Sequence, residues 1–246
     1  PTPLPVGPLD GVKVLDLSED IAGSFCARLL ADYGAEVLKL EPPSGSTLRR
    51  MPPFFGDDPH PEKSLFFLAL NLNKKSATLN LENATGREIL KRLVPHVDVI
   101  IESYRPGYLA DLGLGYADLE PLNPSLVMTS ITPFGQTGPY RQFKGEEIVS
   151  YAMGTVMSIS GLQDREPLKH GGFQAQYEGG LNGAASTAMR AVSVTALPCD
   201  VVATLDGRRF SAEALNAAGL YQKHLRPQFY FSSRRGWLND PKGIVY

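Results

Sequence analysis

Cysteine is almost absent: Cys26 and Cys199 are the only two in 246 residues. Two thiols that far apart offer neither a disulfide framework nor a thiolate metal site, and a reducing compartment is the expected setting. An excess of charge is also missing, because 24 basic and 26 acidic side chains leave a formal net charge of -2. The sequence therefore predicts no nucleic-acid partner and no anionic-membrane surface of the kind that basic proteins carry. No apolar run approaches the roughly 20 residues that cross a bilayer. The start PTPLPVGPLDG has no basic stretch followed by an apolar one, so the reading is a soluble, cytoplasmic protein without a visible signal peptide. Histidine is scarce too: His60, His96, His170 and His224 are scattered without metal-ligand spacing, and no metal is expected.

What is present is a core-forming composition of 43% hydrophobic and 20% charged residues, enough for one large or two small globular domains. It is not uniform along the chain. Residues 1–192 hold 17 basic and 22 acidic side chains and residues 193–246 hold 7 and 4, a change of sign from -5 to +3. Seven of the last 54 residues are aromatic, so a boundary near 192 is expected although no Pro/Gly/Ser linker marks it. A start at Pro1 rather than Met reads as a processed or truncated piece.

The first part alternates strand and helix signals. Val12 to Asp16 is a short apolar run, Ser24 opens a helix-compatible stretch to Tyr33, and Gly34 stops it before a second strand at Glu36 to Leu40. The pattern recurs with strands at Ala77 to Leu81, Val97 to Ile101 and Leu126 to Ile131, and with a helix from Thr85 to about Val94. This predicts an α/β fold with a Rossmann-like, open, mainly parallel sheet, whose ligands sit beyond the carboxyl ends of the strands. The turn Ser18 to Ser24 lacks the three-glycine dinucleotide spacing, so Glu41 at the end of the second strand reads as a solvated strand end rather than a ribose ligand. Three loops in the ligand layer carry suggestive chemistry: Asn71 to Ser76 with the adjacent cations Lys74 and Lys75, Glu102 to Gly107 with Tyr104 and Arg105, and the glycine-bearing Thr132 to Tyr140. Met153 and Met157 read as core positions one helical turn apart.

Several ordered segments carry a resemblance. Pro8-Leu9-Asp10-Gly11, Leu30 to Val37, Asn73-Lys74-Lys75-Ser76, Arg105-Pro106-Gly107, Leu112 to Tyr116 and Phe134 to Pro139 closely resemble the class III CoA-transferases, CaiB/BaiF type, over about residues 8–191. The resemblance implies a large domain that binds coenzyme A or acyl-CoA, transfer of CoA between carboxylic acids or, in one branch, racemisation of 2-methylacyl-CoA, and interlocked homodimers. It also implies that family members continue for roughly another domain, so that this chain would hold an incomplete large domain. Family transferases use an Asp carboxylate as nucleophile, and the matching residue is Gln176, whose neutral amide cannot take that role. In the racemase branch the catalytic His falls at Glu146. Implied CoA contacts are Ala22, Leu79, Asn80, Leu81, Glu82, Ser103, Tyr104, Arg105, Lys144, Gly145, Glu146 and Glu147, whereas Ile21, Pro42 and Asp111 stand where other members have Gln, Arg and Arg. One alternative is the non-catalytic half of a two-half CoA-transferase.

The end of the chain carries a different resemblance. Leu220 to Phe231 followed by Gly236-Trp237-Leu238-Asn239-Asp240-Pro241 is similar to the opening of glycoside hydrolase family 32, the invertases and levanases. That resemblance implies a short β-rich fragment of a propeller, with Asp240 at the nucleophile position and Trp237 and Asn239 in a sugar pocket. The expectation is a fusion joined near 192 and, as a further alternative, a fragment of a β-fructofuranosidase. A retaining site needs a second carboxyl group about 5 Å from the first, and none follows Asp240.

Overall fold

Val14 and Leu15 are sequence neighbours that belong to different cores, because successive side chains of a strand point to opposite faces. In the computed structural model, which describes residues 7–195 and the backbone of residues 203–205 and 208–210, these residues lie on β1, Lys13–Asp16. Val14 packs with Cys26, Ala27, Leu30, Val99 and Ile101 on one face of the sheet. Leu15 packs with Leu40, Leu90, Ile100 and Leu114 on the other. The first core is covered by α1 (Ile21–Asp32) and α7 (Gln174–Thr195), and the second by α3 (Ala84–Leu93), α4 (Tyr108–Asp111) and α5 (Tyr116–Leu119).

The remaining strands are β2 (Glu36–Glu41), β3 (Lys74–Thr78), β4 (Val99–Glu102) and β5 (Val127–Ser130). All five pair in parallel, in the order β3-β2-β1-β4-β5. The predicted α/β class and open sheet are therefore observed, and the chain reverses direction across the sheet between β1 and β4. Beyond the carboxyl ends of those two strands lies the crevice in which sheets of this kind bind ligands. Near the end of the chain, Ala203–Leu205 and Arg208–Phe210 form an antiparallel pair.

Several boundaries differ from the sequence reading. The first helix starts at Ile21 rather than near Ser24, because Asp20 is its cap and accepts the Gly23 N–H at 2.8 Å. Ser24 is buried one turn inside. Asn83, not Thr85, caps α3, taking the Gly86 N–H at 2.6 Å. Met153 ends α6 (Glu147–Met153) half-exposed and Met157 lies on a separate 3-10 turn, so the two are not one core stripe. The largest correction is β3, which runs through Lys74 and Lys75 instead of starting at Ala77.

That correction has an electrostatic cause. Lys74 Nζ donates to Asp16 Oδ2 at 2.8 Å, to the Ser24 carbonyl at 2.8 Å and to Asn71 Oδ1 at 2.9 Å. Lys39 Nζ lies 3.6 Å from the same Asp16 oxygen and donates to the Ser18 carbonyl at 2.7 Å. All three charged groups are buried to 1% exposure or less. A strand whose lysine finds a carboxylate and two further acceptors tolerates a burial that an unpaired ammonium would not. Burial alone would raise the Asp16 pKa, but the Lys39 and Lys74 charges and the hydrogen bonds from Lys74 and Ser18 hold it at about 2. Burial pushes the Lys74 pKa down.

Replacing the carboxylate leaves two ammonium groups buried without a counter-charge. Asp16→Asn is expected to cost about 3–5 kcal/mol of stability, measured by urea denaturation at pH 7. Since the folded pKa of Asp16 lies near 2 against an ordinary 3.8, the parent loses this stabilisation as pH falls from about 4 towards 2. An acid titration of Asp16→Asn should lack that component.

Candidate functional site

The turn that leaves β1 is tied to the turn that leaves β4. Glu19 N–H donates to Ser103 Oγ at 2.9 Å, and the Ser103 hydroxyl hydrogen-bonds the Asp20 carboxylate. Glu102, the last residue of β4, is buried and accepts the Tyr104 N–H at 2.7 Å. A third strap comes from the segment after β2: Thr47 N–H donates to Glu19 Oε2 at 3.0 Å, and its hydroxyl donates to the Glu19 carbonyl. Three loops thus meet over the point where the sheet reverses.

Burial pushes up the pKa of Glu19, Asp20 and Glu102, with Asp20 reaching about 6 despite the Gly23 N–H and Ser103 hydrogen bonds that oppose the shift. Tyr104 is half-buried with its ring 4.8 Å from that of Tyr108, and burial raises its hydroxyl pKa. Arg105 points outward at 61% exposure and pairs with Asp111 at 2.7 Å.

Helix α7 packs along α1, the helix that follows the β1 turn. Gly180 lies so close to α1 that a β-carbon there would come within 2.4 Å of the Ala22 carbonyl oxygen, and only glycine allows that approach. Tyr177 packs edge-on against Phe25 of α1 at 5.0 Å. The amino end of α7 is held from outside: the buried Glu147 carboxylate accepts the Ala175 N–H at 2.7 Å and the Gln176 N–H at 3.3 Å. A carboxylate at free helix N–H groups satisfies donors that have no intrahelical partner and complements the dipole.

Of the predicted residues, Ser103 and Tyr104 lie in the β4 loop that is tied to the β1 turn, Ala22 lies against Gly180 of α7, and Glu147 holds the N–H of the half-buried Gln176. Other predicted contacts fall differently. Leu79 to Glu82 follow β3, two strands away from β1, and Leu81 is turned into the second core. Asn80 spends its side-chain oxygen on the Glu82 N–H at 2.9 Å. Lys144 and Glu146 are exposed, while Gly145 is wedged against Pro133. Gln176 is the residue whose surroundings sequence reading could not supply. The role of Glu147 as an external cap left no signal either, since it acts 28 residues from its partner. Glu19, which ties three loops together, carries no sequence signal of its own, because acidic residues in turns are common.

His170 lies 3.4 Å from the Tyr151 hydroxyl and 3.2 Å from Ser160 Oγ, beside a cavity of about 40 Å³ lined also by Ala175 and Glu178. That volume holds about one water and no substrate. Among the described residues no group of three His, Cys, Asp or Glu is placed to hold a metal ion, and no helix is long and apolar enough to cross a membrane. Trp237, Asn239 and Asp240 lie outside the described residues.

The sequence profile of CoA-transferase family III matches residues 9–196. The chain belongs to that family. A succinyl-CoA–D-citramalate CoA-transferase of Chloroflexus aurantiacus is 45% identical over 168 residues, which are 68% of this chain and 41% of that protein. The beta subunit of a succinyl-CoA–L-malate CoA-transferase from the same organism is 40% identical over 178 residues, 72% of this chain and 43% of that one. The crystal structure of a CaiB/BaiF family protein from Brucella suis superposes with a TM-score of 0.71 at 37% identity, over 76% of this chain and 50% of that one. The chain thus spans less than half the length of these curated relatives. The comparisons give no support to the resemblance of the terminal segment to glycoside hydrolase family 32, nor to a fusion.

The Asp20 shift sets a testable window. Between an ordinary 3.8 and about 6 the folded chain keeps a proton that the unfolded chain releases, so this group lowers stability as pH rises through that range. Asn caps a helix as well as Asp. Melting temperatures of Asp20→Asn from pH 4 to 7 should fall less with rising pH than those of the parent.

Proposed function

We propose that residues 7–195 form the acyl-CoA-binding part of an enzyme that transfers CoA between carboxylic acids, and that in this chain the part binds the thioester without carrying the acyl group. The observation that supports this reading is the tie between Ser103 and the turn leaving β1 at the sheet reversal, with α7 packed closely on Ala22 of the helix that follows that turn, in a chain of this family. Transfer through the enzyme needs an anionic oxygen to attack the thioester carbonyl, release CoA thiolate and hold the acyl group as a mixed anhydride. Gln176 stands where the family resemblance puts that oxygen. Its amide is a hydrogen-bonding group, and the Glu147 carboxylate nearby is already engaged by two backbone N–H groups.

The CoA moiety asks for cations at its phosphates and for hydrogen bonds along its pantetheine arm. Lys144 is exposed and forms no ion pair among the described residues, which fits a phosphate contact. Arg105 is turned to Asp111 and would have to exchange partners. Succinyl-CoA is the first thioester to test, because similar proteins carry it in their names. No metal enters this reading. A homodimer, implied by the resemblance, remains part of the proposal.

A second reading has one specific support. A similar protein is named as a beta subunit, so a chain with Gln176 fits the non-catalytic half of a two-half enzyme whose partner carries the nucleophile. Co-expression with a family member that has the Asp should then raise transfer above that of the member alone.

Two measurements test the main reading. Calorimetric titration with CoA should show binding to the parent and an affinity about five- to tenfold lower for Lys144→Ala, the loss of one charge-assisted hydrogen bond. Incubation of the parent with succinyl-CoA and hydroxylamine should give no protein hydroxamate by mass spectrometry, whereas Gln176→Asp should give one. Transfer activity in the parent that survives Gln176→Ala would overturn the assignment of position 176.

A further inference from the structure

Three side-chain atoms among the described residues are shut off from bulk water and lack a hydrogen-bond partner: Glu19 Oε1, Thr132 Oγ1 and Gln136 Nε2. Leaving a buried polar atom unpaired costs about 1–3 kcal/mol, and well over nine-tenths of such backbone atoms and most side-chain ones find a partner. All three lie in the loops that leave the carboxyl ends of β1 and β5, on either side of the β4 loop. Among the described residues, the opposite rim of the sheet has none.

Two of them share one loop and one chemistry. Thr132 offers a hydroxyl donor and Gln136 an amide N–H donor. The loop that holds them presses on the segment leading to Glu147: a β-carbon at Gly145 would lie 2.2 Å from Pro133 Cβ and 3.2 Å from the Phe134 ring. Glu147 in turn holds the Ala175 and Gln176 N–H groups. Ile131, one residue before Thr132, touches α7 at Gly183. The loop that carries the unpaired donors is therefore coupled, through Gly145 and Glu147, to the amino end of α7, where the acyl group of a bound thioester belongs on the reading above.

We propose that Thr132 and Gln136 are specificity-determining residues that donate hydrogen bonds to the acyl oxygens of a CoA thioester, an inference that rests on the acyl-CoA-binding reading. Gly135 and Gly138 have φ of 73° and 93°, and the loop is exposed from Thr137 to Tyr140. Ligand binding then satisfies donors that folding alone leaves unsatisfied.

The test compares the 246-residue parent with Thr132→Val and Gln136→Leu, using calorimetric titration with free CoA, succinyl-CoA and butyryl-CoA together with thermal melts. Each variant removes a buried unpaired donor, so its Tm should rise by about 2 °C. Affinity for the acyl thioester should fall about tenfold, with free CoA unchanged. A loss for both thioesters assigns the donors to the thioester carbonyl, and a loss for succinyl-CoA alone assigns them to the distal carboxylate; either supports the inference. Unchanged thioester affinity in a parent that binds CoA overturns the inference and leaves the function standing, as does a lowered Tm with unchanged affinity. A parent that binds none of the three ligands overturns both.

Discussion

One carboxylate held between two buried ammonium groups sets the geometry on which the rest depends. Asp16 is the last residue of β1, Lys39 is its registered neighbour on β2, and Lys74 opens β3. The cluster therefore ties three adjacent strands, with Lys74 reaching Asp16 from a position registered with Val37, two residues before Lys39. A one-residue slip would carry each charge to the opposite, apolar face, so the ion cluster and the alternating cores enforce the same register. The turn that follows Asp16 inherits that placement. Ser18 hydrogen-bonds Asp16 through its own N–H and supplies its carbonyl to Lys39, so the backbone entering Glu19 and Asp20 starts from a fixed point.

From that point outward the structure trades charge neutrality for a polar crevice. Glu19, Asp20 and Glu102 are acids in surroundings that favour their neutral forms, a costly arrangement away from a site. Asp16 has the opposite shift despite deeper burial, because it has cations to answer it. The difference separates two jobs within about four residues: the ion cluster fixes the strands, and the loop acids beyond it are left responsive to what arrives. Arg49 makes a comparable anchor at the next strand end, pairing with Glu41 at 2.6 Å and Glu62 at 2.7 Å.

The central strands are legible because Val12 to Asp16, Val97 to Ile101 and Leu126 to Ile131 read as short apolar runs between polar turns, and Val14, Leu15, Ile100 and Ile101 are buried; β3, with its two lysines, is no such run. The sequence reading places ligands beyond the carboxyl ends of the strands, whereas the strand order, and with it the reversal between β1 and β4, comes from the structure. What sequence could not give was pairing. Lys74 looks solvated until Asp16, 58 residues earlier, is known to lie beneath it. Leu79 to Glu82 looked like one contact segment, but the edge position of β3 carries them away from the reversal and turns Leu81 inward. Caps were misplaced by a few residues because Ser24 and Thr85 match the preferred residue types as well as Asp20 and Asn83 do. Position 176 is singled out by resemblance alone, and its support by Glu147 needs coordinates.

The borrowed cap on α7 bears on how the chain tolerates change. Glu147 and Ala175 are joined by a connection that is mostly exposed between Gly161 and Gly172, yet the two ends are clasped directly. Lengthening a flexible surface connection costs little, since closure entropy grows only with the logarithm of its length. Insertions, deletions and sequence drift between those glycines are therefore absorbed at the surface, and the clasp keeps residue 176 at a constant address while the stretch before it is rewritten.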